Sequence, residues 1–322
     1  MSTTPSEVHR ESTLIVHQDW SKTKEKRRAI VGDGVESLHV VLDFDHTITA
    51  YLSPTTGEKC LECHDVVQHG TYDPSERQAS FRADIEGVWS DQRNGRLRCL
   101  SEWWSRFHDA IASHELTETE VRQATASSQV ALRPGAAELF AWLREHAVRT
   151  TILSAGISTV IEEVLRRHDI EVHEQARIIA NVPVLDGSER IVSFREPLVY
   201  SRNKAQVLKT LEFGNTGENA RSPDNIVLAG NAIGDVQCLS GMPHGRSLSL
   251  GFLHEELSGV PTARPEICAS GISSHRESTV PLADREHSNL DNFLEHYDVV
   301  MCGHQSNFQY LLDLLGEIKK GS

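Results

Sequence analysis

Two aspartates one residue apart, Asp43 and Asp45, close the apolar, β-branched run LHVVLDF at residues 38–44. Such a run reads as a fully buried strand. Where it ends the chain must turn, and a turn there aims both carboxylates at one site. A carboxylate can attack a phosphate ester and carry the phosphoryl group as an aspartyl-phosphate. A second carboxylate two residues on can give a proton to the leaving oxygen and later recover it. A hard cation held by oxygen ligands, Mg²⁺ above all, neutralises the charge that develops. The blander reading is a strand end followed by a turn. The apolar run before the pair and Thr47 after it favour the chemical one.

Two further strand ends carry polar sequence of the same kind. One is Ser154-Ala155-Gly156, after the strand at residues 150–153; the other is Gly230-Asn231-Ala232-Ile233-Gly234-Asp235, after the buried strand at 225–229. In an open parallel sheet a ligand binds beyond the carboxyl ends of the strands, so all three stretches converge on one crevice. Ser154 is placed at the start of the helix at 157–167, where it could serve as a simple N-cap or offer its hydroxyl and the helix N-terminus to a phosphate.

Periodicity supplies the elements that position these residues. Helices are expected over 136–146, 157–167, 203–211 and 306–318, and strands over 150–153, 178–182, 225–229, 247–252 and 297–301. Strands alternating with helices predict an α/β fold, a doubly wound, Rossmann-like parallel sheet with helices on both faces. Residues 55–130 differ. They hold amphipathic helical stretches such as 99–111 and a capping box at Thr117 and Glu120. Residues 1–35 read as a polar leader with a short helix, 36–54 and 131–322 as the core, 55–130 as a helical insertion, and the Ser-, Pro-, Arg- and Glu-rich stretch 258–288 as a surface insertion in the core.

Composition narrows the function. The 322 residues carry a formal charge of −14, which argues against a partner as acidic as a nucleic acid polymer or an anionic membrane. No apolar run is long enough to span a bilayer, and residues 1–28 lack the apolar stretch of a secretory signal. The six cysteines are scattered apart from Cys60 and Cys63, as in a reduced, cytoplasmic protein. One CxxC is half of a zinc site, so CLECH at 60–64 is read as a structural turn.

The pattern hhhDxDxT, followed by a serine strand end and a Gly-rich third motif, resembles the haloacid dehalogenase superfamily. The CLECH segment, LSAGISTVIEEVLRR at 153–167 and the later LEHYDVV make the chain similar to the cytosolic 5′-nucleotidase III (pyrimidine 5′-nucleotidase) family over most of 36–257. That resemblance implies Mg²⁺-dependent hydrolysis of nucleoside 5′-monophosphates under a helical cap domain inserted after the first motif. It implies Asp43 as nucleophile and metal ligand, Asp45 as acid/base with its carbonyl on the metal, and Ser154, Ala155 and Gly156 as the phosphate cradle. Glu86 matches the cap glutamate that reads the base, and Trp103 or Trp104 could stack on it, although core packing explains such tryptophans equally well. Lys204, with Arg202 as the fallback, matches the phosphate-neutralising lysine; a surface lysine is its plain alternative.

The third motif departs from the family's GDSxGD. Asn231 replaces an acidic metal ligand and Ala232 a serine, while Asp235 is kept and counts with Asp43, Asp45 and Asn231 in the metal set, compensating from behind the direct ligands. An amide oxygen can still ligate Mg²⁺, but one negative charge is lost. Phe107 stands where the family has a serine near the base. These changes keep two alternatives open: a catalytically impaired nucleotide-binding protein of this fold, and a phosphatase acting on a non-nucleotide phosphate.

Overall fold

All five residues Leu38–Leu42 are buried, which requires cover on both faces of that strand. Leu38, Val40 and Leu42 join one apolar cluster, and Val41 joins a second on the opposite face. The computed structural model that shows this describes residues 13–97, 99–213, 224–241, 243–255, 267–268 and 290–318.

The chain opens with β1 (Leu14–His17), α1 (Trp20–Asp33) and β2 (Leu38–Leu42). Four helices follow: α2 (Cys63–His69), α3 (Ser75–Arg93), α4 (Leu100–Ser113) and α5 (Glu118–Ser127). Next come α6 (Ala136–Glu145), β3 (Arg149–Ile157), α7 (Ser158–Arg167), β4 (Ala176–Asn181), and a hairpin of β5 (Pro183–Leu185) and β6 (Ile191–Phe194). The remainder is α8 (Lys204–Leu208), β7 (Asn225–Gly230), α9 (Ile233–Gln237), β8 (Arg246–Leu253), β9 (Ile267–Cys268), α10 (Leu290–His296), β10 (Val299–Cys302) and α11 (Gln309–Glu317).

The main sheet runs β4-β3-β2-β7-β8-β10-β1-β9. From β4 to β10 every pairing is parallel, and β1 joins antiparallel to β10 and to β9. After β2 the chain first builds outward through β3 and β4. It then returns to the other side of β2 with β7. The strand order therefore reverses between β2 and β7, and a crevice opens at their carboxyl ends. Helices α2 to α5 pack beside that end, α2 against β3 and α5 against α7.

Of the stretch expected to be a polar leader, residues 1–12 lie outside the described residues and residues 14–33 belong to the fold. Leu14–His17 pairs residue for residue with β10, and α1 buries Ile30 and Thr23. Asp19 caps α1 by accepting from the Lys22 amide at 3.1 Å. The surface insertion expected at 258–288 lies outside the described residues, save for β9.

If α1 is an integral layer, Ile30→Ala removes a fully buried side chain. The expected cost is about 2–5 kcal/mol in a urea melt. A change below about 0.5 kcal/mol, typical of surface positions, would instead return the segment to the status of a leader.

Candidate active site

Three strand ends meet at the crevice. Asp43 follows β2 in extended geometry, and its backbone N–H donates to the Ala229 carbonyl at 3.0 Å, locking the end of β2 to β7. The chain stays extended at Asp45 and reverses at His46, which sits in the left-handed region at φ 55°. Few non-glycine residues adopt that conformation, and here the Thr49 hydroxyl steadies it by accepting from the His46 amide at 2.7 Å. The Asp45 carboxylate then accepts from the backbone N–H of Cys63 at 3.0 Å, at the start of α2.

Lys204 opens α8 and is buried, with Nζ 2.6 Å from Asp43 Oδ1 and 2.5 Å from Asp235 Oδ1. It is not a surface lysine, and the fallback Arg202 is exposed in the preceding turn. Asp235 uses its other oxygen to accept from the amides of Asn231 (3.0 Å) and Ala232 (2.9 Å). On the far side of that loop, the buried Tyr297 hydroxyl donates to the Ala232 carbonyl. Asp235 thus shapes the loop, and both of its oxygens are engaged with the protein.

Electrostatics follow from burial. Burial would push the Lys204 ammonium down, but the charges of Asp235 and Asp43 outweigh it and hold its pKa above the ordinary range. Burial pushes Asp43 up and the Asp235 charge adds to this, while Lys204 opposes both; the result is about 6. Asp45 is raised to about 7, first by burial and then by the charges of Glu62 and Asp43. Two neighbouring carboxyls poised around neutral pH suit a nucleophile and a proton carrier.

Ser154 is buried, but it does not cap a helix. Strand β3 runs on through Ser154, Ala155 and Gly156, and α7 begins only at Ser158. The Ser154 hydroxyl accepts from the Gly156 amide at 2.9 Å. A side chain at Gly156 would come within 2.5 Å of Cys63 Sγ, so glycine lets α2 approach the strand end. This gives CLECH its physical meaning: Cys63 wedges against Gly156 and presents its amide to Asp45. Burial holds the Cys63 thiol well above its ordinary pKa, hence protonated.

The helical segment holds the remaining candidates. Trp103 is buried against Trp89, Trp104 and Phe107, which answers to core packing. Trp104 is partly exposed and lies edge-on to His64 at 4.3 Å. Glu86 is exposed on α3 and pairs with Arg93 on the surface. Phe107 is fully buried against His64. Three groups of the site escaped the sequence reading. The Cys63 group is a backbone amide within CLECH, the Tyr297 hydroxyl reaches from LEHYDVV to a backbone carbonyl, and Arg133, which donates to the His46 and Thr47 carbonyls, stands alone in LRPG; residue type and spacing reveal none of these contacts.

Asp45→Asn keeps an acceptor for the Cys63 amide and removes the charge. Because the folded pKa of about 7 exceeds the ordinary 3.8, ionised Asp45 disfavours the fold. That penalty is absent below pH 3.8, grows toward pH 7 and is complete above it. The variant is expected to melt several degrees above the parent at pH 8 in the absence of divalent cations, the margin vanishing toward pH 4. A calorimetric margin independent of pH would refute this charge balance.

The profile of the family described as pyrimidine 5′-nucleotidase (UMPH-1) matches residues 46–260. The 7-methylguanosine phosphate-specific 5′-nucleotidase of Gallus gallus is 25% identical over 239 residues, which is 71% of this chain and 80% of that protein. Its Homo sapiens counterpart is 22% identical over 253 residues, 76% of this chain and 82% of that protein. Among solved structures, cytosolic 5′-nucleotidase IIIB bound to cytidine matches with a TM-score of 0.69 at 19% identity, covering 94% of this chain and 92% of that one; the likeness is one of fold. A probable phosphoserine phosphatase from Vibrio cholerae shares the fold more distantly, with a TM-score of 0.51 at 11% identity over 87% of this chain and 65% of that one. Residues 46–260 make up two thirds of the sequence, so the match is to the body of the protein: this chain belongs to the pyrimidine 5′-nucleotidase family, phosphoric monoester hydrolases built on the haloacid dehalogenase fold.

Proposed function

We propose that this chain is a Mg²⁺-dependent 5′-nucleotidase that hydrolyses nucleoside 5′-monophosphates to nucleoside and phosphate through an aspartyl-phosphate on Asp43. The observation that carries the reading is the buried Asp43–Lys204–Asp235 bridge with the Asp45 carboxyl beside it, at the point where the strand order reverses. In this reading a carboxylate oxygen of Asp43 attacks phosphorus, and the bond to the nucleoside oxygen breaks as Asp45 delivers its proton to that oxygen. Water then attacks the aspartyl-phosphate, Asp45 takes up a proton, and phosphate leaves with Asp43 restored. Lys204 offsets the negative charge of Asp43 and of the incoming phosphate. Ser154 and the extended backbone at Ala155 and Gly156 form the phosphate cradle.

The donor set fits a hard cation. One terminal atom of the Asn231 amide lies 3.1 Å from Asp43 Oδ2 and 3.3 Å from the Asp45 carbonyl. With its nitrogen turned inward, the amide donates to both. With its oxygen inward, it stands near these two oxygens at about the spacing of neighbouring ligands of octahedral Mg²⁺, roughly 3 Å for bonds of about 2.1 Å. Asp43, the Asp45 carbonyl and Asn231 would hold the ion, with Asp235 supporting the loop. When bound it would supply charge neutralisation to the phosphate.

Residues 55–130 act in this reading as the cap over the crevice, and Trp104 is the aromatic surface left for a base. The surface pair of Glu86 with Arg93 contributes little, so Glu86 can be released to a base at small cost. We further place the protein in the cytoplasm; no helix among the described residues is long and apolar enough to cross a membrane.

Phosphate release from a panel of nucleoside 5′-monophosphates, 7-methylguanosine monophosphate and cytidine monophosphate included, tests the reading. Turnover of one base class with Mg²⁺ is expected, with a loss of at least about 1000-fold in Asp43→Asn. Binding of nucleotides without turnover would instead establish the impaired, binding-only alternative that Asn231 and Ala232 raise. Turnover only of esters lacking a base would establish the non-nucleotide phosphatase.

Asn231→Asp restores an ionised ligand. Titration calorimetry is expected to show Mg²⁺ affinity rising by about tenfold or more, since affinity for a hard cation follows ligand charge. An unchanged affinity would remove Asn231 from the ligand set.

A further inference from the structure

Arg133 is one of the largest fully buried side chains among the described residues. None of its described hydrogen bonds goes to a carboxylate. Its backbone N–H donates to the Ile48 carbonyl at 2.9 Å, its Nε to the Thr47 carbonyl at 2.7 Å, and its Nη2 to the His46 carbonyl. One residue therefore engages three successive carbonyls, those that follow directly on Asp45. The guanidinium also reaches two other segments. Nη1 donates to the carbonyl (2.6 Å) and hydroxyl (2.7 Å) of Ser306, just before α11, and Nη2 lies 3.0 Å from His254 Nε2, just after β8. The guanidinium carbon lies 3.8 Å from the centre of the Phe252 ring.

Burying a guanidinium without a carboxylate is costly, and burial holds Arg133 down to about 9. An apolar residue would fill the same space without that penalty, but it would leave buried carbonyls unpaired. The cation is aimed at a stretch of backbone that leaves the ordinary regions. His46 reverses the chain at φ 55°, immediately after Asp45, and its conformation is held at the amide by Thr49 and at the carbonyl by Arg133. The planar fork of arginine can address several acceptors at fixed angles, which a lysine cannot.

We propose that Arg133 is a positioning residue for the reaction: it clamps the reversed turn at residues 46–48 to the Ser306 and His254 segments, and so holds Asp45 in its orientation toward the crevice without touching substrate. The reaction role rests on reading Asp43 and Asp45 as the reacting carboxyls; the clamp itself does not.

The test uses the full chain with Arg133→Lys and Arg133→Met. Hydrogen–deuterium exchange is followed on peptides covering residues 43–50, beside steady-state kinetics on the nucleotide that the parent protein turns over best. Both variants are expected to exchange faster at 46–50. The kcat is expected to fall about 100-fold in Arg133→Met and about tenfold in Arg133→Lys, with KM changed less than about threefold. Added guanidinium is expected to restore part of the lost kcat in Arg133→Ala, which a general loss of packing would not allow. Unchanged exchange at 46–50 in a folded variant overturns the clamp whatever the kinetics do. Faster exchange with kcat within threefold of the parent overturns the reaction role. Should Arg133→Met fail to fold, Arg133→Lys decides by the same readouts. A parent protein inactive on every ester, p-nitrophenyl phosphate included, overturns the nucleotidase reading and the reaction role with it, while the exchange data still judge the clamp.

Discussion

A single buried ammonium group fixes the crevice. Lys204 lies between Asp43 and Asp235, and each contact is short. Without it, two buried carboxylates would share the end of the sheet with no cation between them. Removing one partner of such a group typically costs about 3–5 kcal/mol, because the others remain buried and unpaired. The constraint spreads outward from there. Asp235 can meet Lys204 only if the loop after β7 folds back, and it folds that loop by accepting from two of its amides. The turn before α8 must also approach closely, which is why Gly234 stands where a side chain would come within 2.5 Å of the Ser201 carbonyl. Three distant segments, at 43, 204 and 235, are thus brought into register by one charge.

The second constraint is the coupling of the helical segment to the Asp45 turn. Cys63 is the first residue of α2, its amide binds Asp45, and its side chain rests on Gly156. Any shift of α2 relative to β3 is therefore felt at the Asp45 carboxylate and at the backbone beside Ser154 together. A helical segment attached in this way transmits its position to the Asp45 carboxylate through one turn of helix. Arg133 grips the same turn from the opposite side, through carbonyls rather than the carboxylate.

Much of this was legible in the sequence because it is local. The apolar run at 38–42 gave a strand buried on both faces. The Asp43/Asp45 pair marked its end, and the capping box at Thr117 and Glu120 formed as its residue types require. Lys204 lies against Asp43, whereas Arg202 is exposed. What failed was non-local. Leu14–His17 is four residues long and is a strand because β10 and β9 lie beside it, so a polar leader is the natural local reading. Ser154 looked like a helix cap because small residues precede an amphipathic run. The strand instead continues to Ile157, since Gly156 must stay extended and bare to admit Cys63. Trp103 and Trp104 are adjacent, and one residue of helical phase decides that the first is core and the second reaches the surface. The β5–β6 hairpin, short and half exposed, gave no periodic signal.

The charge balance gives the substitution at 231 a physical sense. Asp43 and Asp235 flank one lysine, and the pKa values of Asp43 and Asp45 are already raised by burial and by carboxylate neighbours, Asp235 acting on Asp43 and Glu62 with Asp43 on Asp45. A fourth carboxylate at 231, about 3 Å from Asp43 Oδ2, would raise the cost of every ionised neighbour when no cation is present. The amide avoids that cost. Turned one way it donates to Asp43 and to the Asp45 carbonyl, and so supplies a weak positive end where a cation would be. Turned the other way it offers an oxygen. Asparagine therefore makes the cation-free site self-satisfied, and a cation entering it must displace those hydrogen bonds. On the proposed reading aspartate would bind the ion more tightly at the expense of the empty state. On the proposed reading the substitution moves the site along one axis, from cation affinity toward stability without the cation, and leaves Asp43, Asp45 and Lys204 where the fold puts them.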